Sequence, residues 1–209
     1  MFLSYIVPLS ILLPITIGLL KYKMAAKGPR LLLFYLVISG LINLSALVFV
    51  KLGMRNLPLL HLYTIVEAIF IFAYFKNIFV DQRIKKALTY LMIIFPMLCV
   101  VNFVFIQSIY SFNTYTRPLE AILITFFCLL YLYKSEFTEN WINKPVNWLN
   151  MGILMYFPVA CIIFILSNYL VFVSANKSMN SAVWNLHATL VLIMYLFWAK
   201  GFSLINKNG

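Results

Sequence analysis

Apolar residues run along this chain in seven long blocks, at about 2–20, 31–52, 57–75, 87–107, 115–133, 146–173 and 182–201, with short polar or basic connections between them. A helix rises about 1.5 Å per residue and a bilayer core is about 30 Å thick, so about 20 apolar residues cross it. The sixth block would make about 40 Å of helix, enough to tilt. The blocks are continuous, whereas strands of a membrane barrel alternate over about ten residues. The pattern predicts an all-α, polytopic transmembrane helix bundle of seven spans in a single domain, 1–209. Connection 21–30 contains the breaker Gly28-Pro29, and 108–114 and 174–181 have the composition of polar turns. Pro8, Pro14, Pro96 and Pro158 fall inside blocks, where a missing N–H bends a helix. Ser39, Gly40, Asn43 and Ala46 gather small and polar side chains in the second block, as a helix-packing seam would.

Composition turns the pattern into a solvent. The chain is 64% hydrophobic and 10% charged, with a mean hydropathy of +0.98, against about 25% charged residues in a soluble domain. This excludes a disordered chain, a secreted disulfide scaffold and an ordinary cytosolic enzyme. Lys plus Arg number 16 and Asp plus Glu 5, a net charge of +11. The basic residues sit between blocks, so they point to topology and anionic lipid rather than to nucleic acid. With the N-terminus outside, Lys21, Lys23, Lys27, Arg30, Lys76, Arg83, Lys85, Lys86, Lys134, Lys144, Lys200 and Lys207 face the cytoplasm. Only Lys51, Arg55, Lys177 and Arg117 lie on the other side. The expectation is N-out and C-in, in a bacterial inner membrane. No positive residue precedes the first block, which favours a retained span over a cleaved signal. Cys99, Cys128 and Cys161 fall singly inside blocks, as small packing residues do.

The chemistry must come from the few ionisable groups within spans, which normally face the bundle interior and have partners. These are His61 and Glu67 in span three, Arg117 and Glu120 in span five, and His187 in span seven; Asn102 and Asn168 join them from spans four and six. At about 1.5 Å per residue, His61, Asn102, Glu120, Asn168 and His187 fall about 5–10 Å below the outer boundary. Glu67 falls near the midplane and Arg117 near the rim. Five spans thus converge on one polar layer in the outer half, the candidate ligand pocket. Arg117 and Glu120 are three apart and can pair on one helix face. That leaves Glu67 without a fixed counter-ion, and a mobile proton shared with His61 or His187 is the expected consequence.

Other chemistries fit less well. No HExxH motif occurs and the histidines and glutamates come from three separate spans, so neither a metal nor a cofactor is expected. The chain has two histidines and no intramembrane Asp, which departs from seven-helix hydrolases of the ceramidase and adiponectin-receptor type. Lys200 at the inner edge of the last span does not suit a retinal protein, and no Pro-Gln pair suggests a carrier.

Five segments together carry a resemblance: His61-Leu-Tyr-Thr-Ile-Val-Glu67, Asn113-Thr-Tyr-Thr-Arg117-Pro-Leu-Glu120, Trp148-Leu-Asn-Met-Gly-Ile-Leu-Met-Tyr156, Leu166-Ser-Asn-Tyr-Leu170 and Trp184-Asn-Leu-His187. As a set they resemble an uncharacterised group of compact bacterial seven-helix membrane proteins, which implies the architecture but no activity. The architecture is also loosely similar to seven-helix sensing regions of bacterial signalling proteins. The first functional reading is therefore a membrane protein, more binding protein than enzyme. It would take a small molecule or lipid into the outer pocket, with Arg117 for an anionic group, and act with a membrane signalling partner. An intramembrane lipid-modifying enzyme, with His61 or Glu67 as general base, is the alternative, and a proton-coupled carrier the third reading.

Overall fold

The computed structural model describes residues 6–135, 140–174 and 176–206. These form an all-α bundle of seven helices: α1 Val7–Lys21, α2 Lys27–Lys51, α3 Leu57–Ile78, α4 Gln82–Ile106, α5 Thr116–Lys134, α6 Pro145–Val173 and α7 Lys177–Ser203. There is no strand among the described residues. Six of the helices, α2 to α7, are long and apolar enough to cross a membrane. The described part of α1 is shorter, and residues 2–5 of the expected first span lie outside the described residues.

Some helix ends extend beyond the apolar blocks, where polar caps and charged residues continue the helix past its apolar run. Helix α4 starts at Gln82, five residues before the block; Asp81 caps it, its carboxylate accepting from Arg83 N–H at 2.9 Å. Helix α7 starts at Lys177, where Asn176 accepts from Met179 N–H at 3.0 Å, so most of the expected 174–181 turn is helical. Gly28-Pro29 does not break the chain either. Both lie in the first turn of α2, where an N–H has no intrahelical acceptor and proline is tolerated. The turn before them is tied down by Arg30, whose Nε donates to Tyr22 O at 3.1 Å and whose guanidinium lies over the Tyr22 ring.

Helix α3 is the axle. It packs on α2, α4 and α5; α5 packs on α6, α6 on α7, and α7 on α1, which closes back on α2. Ala68, Ile71, Phe72, Tyr74 and Phe75 of α3 are fully buried. Phe72 meets Phe95 of α4 and Phe127 of α5 edge-on, a geometry that favours ring quadrupoles. Helices α6 and α7 approach closely because Gly152 has no side chain: a Cβ there would lie 2.7 Å from Trp198 Cδ1 and 3.1 Å from the Met194 carbonyl oxygen. The Trp198 indole then donates to Leu149 O at 3.0 Å. Helix α4 is the least buried span. The expected seam of α2 divides. Ser39 is buried, whereas Asn43 is exposed among outward-facing Leu41, Leu44 and Leu47.

The feature that positions the site is the α4–α5 connection. Helices α4 and α6 both end in a π turn, Asn102–Ile106 and Tyr169–Val173. The chain between α4 and α5 then folds inward. Asn113 is 1% exposed, and its side-chain amide donates to Thr64 Oγ1 at 3.3 Å. Thr64 is seven residues into α3, about 10 Å from its start. The connection 108–114, expected to be a polar turn, is therefore part of an inserted roof that spans 107–115, and α5 begins inside the bundle.

Candidate functional site

A non-helical segment at membrane depth survives only where protein satisfies its polar backbone. Asn168 of α6 does this for Phe112: its Oδ1 accepts from the Phe112 N–H at 2.9 Å and its Nδ2 donates to the Phe112 carbonyl at 3.1 Å. His61 Nε2 bonds Ser111 O at 3.1 Å. Asn102 donates to Gln107 Oε1 at 3.5 Å, and Gln107 Nε2 donates to Thr114 Oγ1 at 2.7 Å. Asn113 Oδ1 accepts from Thr116 N–H at 3.0 Å and Thr116 Oγ1 at 2.8 Å, starting α5. Three of the sequence-selected residues, His61, Asn102 and Asn168, thus hold the roof.

The other four meet beneath it. Arg117, in the first turn of α5, is 2% exposed and Glu67 and Glu120 are 0% exposed. The Arg117 Nη1 bridges two carboxylates, Glu67 Oε2 of α3 and Glu120 Oε2 at 2.7 Å. Glu67 is therefore not without a counter-ion, as the sequence spacing alone implied. Arg117 does not reach the rim either; the inward roof brings it to the level of Glu67. Its guanidinium lies between the rings of Tyr63 and Phe164, 5.2 and 5.1 Å from their centroids. Its Nη2 donates to Tyr156 Oη at 3.4 Å, and Tyr156 Oη lies 3.0 Å from His187 Nε2. His187 thus joins the charged group through a tyrosine.

On the α2 side the donors fall into one order. Tyr35 Oη donates to Glu67 Oε1. With its proton used there, Tyr35 Oη accepts from Tyr63 Oη, which in turn accepts from Ser39 Oγ at 3.2 Å. Glu67 therefore receives a guanidinium and a phenol. Glu120 receives the guanidinium alone: its Oε1 and the Nε of Arg117 have no hydrogen-bond partner. Buried atoms of this kind normally have one; within the charged group the open polar valence lies at Arg117 and Glu120, and His61 Nδ1 and Asn150 Nδ2 are further buried atoms without a partner.

Sequence reasoning missed Tyr35, Tyr63 and Tyr156. A hydropathy profile counts tyrosine as apolar, yet a buried phenol needs a partner. Four tyrosines in or near the same layer as Glu67 and Arg117 were the available signal, with Tyr195 of α7 the fourth. No group of three or more His, Cys, Asp or Glu suited to a metal occurs among the described residues. Comparison with protein-family models, curated proteins and solved structures finds no match for this chain.

Proposed function

We propose that this is a multi-pass protein of a bacterial inner membrane, of the compact seven-helix group it resembles, that binds a small ligand in the polar core under the 107–115 roof. Its role is receptor-like or accessory, acting with a membrane partner. The observation that carries this reading is the charge of the core. Two carboxylates face one guanidinium in a site closed to water, which leaves one negative charge uncompensated when both are ionised. Such a charge is expensive in a low-dielectric interior. It is relieved by a bound proton or by a ligand that brings positive charge.

This changes the expected ligand. Arg117 was the sequence's candidate for holding an anion, but its charge is already shared by two carboxylates. The favoured ligand is a small protonated amine, which Glu67 and Glu120 would neutralise. Entry requires the roof to lift. Detergent-purified protein melted with ethylamine, putrescine or choline is expected to gain about 5–10 °C at saturation, and the Glu67→Gln variant to gain nothing. Stabilisation by acetate or succinate alone would reverse the assignment. The proposed orientation is checked by a reporter fused after Asn206, which should be active in the cytoplasm.

A further inference from the structure

A second polar feature lies at the other end of α3 from the roof. A cleft of about 350 Å³ opens between the start of α2, the end of α3 and the start of α4. Lys27, Lys76 and Lys85, one from each helix, line it, and Leu31 and Met92 form an apolar side. The helices meet here because Gly28 lets α2 come close: a Cβ on it would lie 3.1 Å from Ile78 Cγ2. Lys76 is fifteen residues beyond His61 along α3, about 22 Å away. The cleft therefore sits near the opposite membrane boundary, where the basic connections collect.

Three lysines from three helices line one cleft, and like charges so gathered need a reason. Among the described residues none of them has an ion-pair partner. The described acidic groups are committed elsewhere: Glu67 and Glu120 to Arg117, and Asp81 to Lys134 Nζ at 3.4 Å. Asp81 also accepts from Arg83 N–H, and this bond, with the lysine, holds its carboxyl below the usual range. Asn77 does not bridge the lysines, since its amide donates back to Ala73 O at 2.7 Å. Lys76 and Lys85 are only half-exposed, so bulk water does not fully solvate them. The missing partner is an anion. The apolar side of the cleft says which kind: Leu31 and Met92 are only partly buried, and Phe34, one turn from Leu31, and Ile93, next to Met92, are exposed apolar residues, so an acyl chain would lie there.

We propose that this cleft is a binding site for the phosphate headgroup of an anionic phospholipid, with the three lysines on the phosphate and an acyl chain along Leu31 and Met92. Basic pockets between helices at the cytoplasmic boundary have the physical character that anionic headgroups select. The site is separate from the core and does not depend on the function proposed for it.

The test uses the full chain in detergent, titrated with phosphatidylglycerol, phosphatidylcholine or inorganic phosphate and read by native mass spectrometry. Phosphatidylglycerol is expected to bind about tenfold or more tighter than phosphatidylcholine. The Lys76→Gln/Lys85→Gln pair should remove that preference, while Lys76→Arg/Lys85→Arg keeps it. The control pair Lys51→Gln/Lys177→Gln, at the far end of the bundle, should also keep it. Melting in phosphatidylcholine micelles verifies that each pair is folded, and Lys27→Gln alone gives an independent partial loss. Unchanged preference in the glutamine pair, or equal loss in the control pair, overturns the site in favour of diffuse surface charge. Inorganic phosphate that binds as tightly as the lipid overturns the lipid in favour of a free anion.

Discussion

Arg117→Leu is expected to destabilise the bundle by about 3–5 kcal/mol, because it strands two buried carboxylates on neighbouring helices. For a domain of this size that corresponds to a fall of about 10 °C in Tm. The physical cause is the pair of contacts from one Nη1 to Glu67 and Glu120, both fully buried. Without the guanidinium the two like charges repel each other, and neither has a second cation within reach among the described ion pairs. A charge explanation makes a further demand. Adding Glu67→Gln and Glu120→Gln to Arg117→Leu should recover most of the loss, since a buried ionic group replaced whole by neutral residues is often close to neutral in stability. If Arg117 acted only by filling volume between Tyr63 and Phe164, the triple variant would melt as low as the single one. Thermal melts of the three proteins in one detergent decide between charge and packing.

The helices themselves were readable in the sequence because lipid imposes a long apolar run on each span, and α3, α5 and α6 begin within two residues of the blocks that predicted them. The ionisable members of the core were readable for the complementary reason. Glu67, Arg117, Glu120 and His187 stand out where nearly every neighbour is apolar, and the structure brings these four together. Their pairing was not readable. Spacing of three links Arg117 to Glu120, but the contact to Glu67 depends on how deep α5 begins, and that depth is set by the inward fold of 107–115. Hydropathy sees that segment only as a polar turn. The roles of Asn102 and Asn168 escaped for a similar reason. An asparagine in a span is equally suited to a ligand or to an unpaired peptide, and only the position of the Phe112 backbone distinguishes them.

The same backbone contact carries the second large effect. Asn168→Ala is expected to loosen the roof without disturbing the charged core. Both bonds from Asn168 end on one residue, Phe112, and removing them leaves a peptide N–H and a carbonyl without partners at membrane depth. Deuterium exchange at the amides of 107–115 should rise on the order of tenfold to a hundredfold, as a local opening that loses two hydrogen bonds would give. Asn168→Asp should fall between the two, since it keeps the acceptor for the Phe112 N–H and loses the donor to its carbonyl. Trp184 supplies an internal reporter, its ring lying 5.6 Å from Phe112 and 5.7 Å from His187. Its emission should shift to the red in Asn168→Ala and stay put in a variant of the opposite end such as Lys76→Gln. Were exchange in 107–115 unchanged in Asn168→Ala, the roof would be held by the packing of Phe112 on Phe172 and Trp184 rather than by hydrogen bonds.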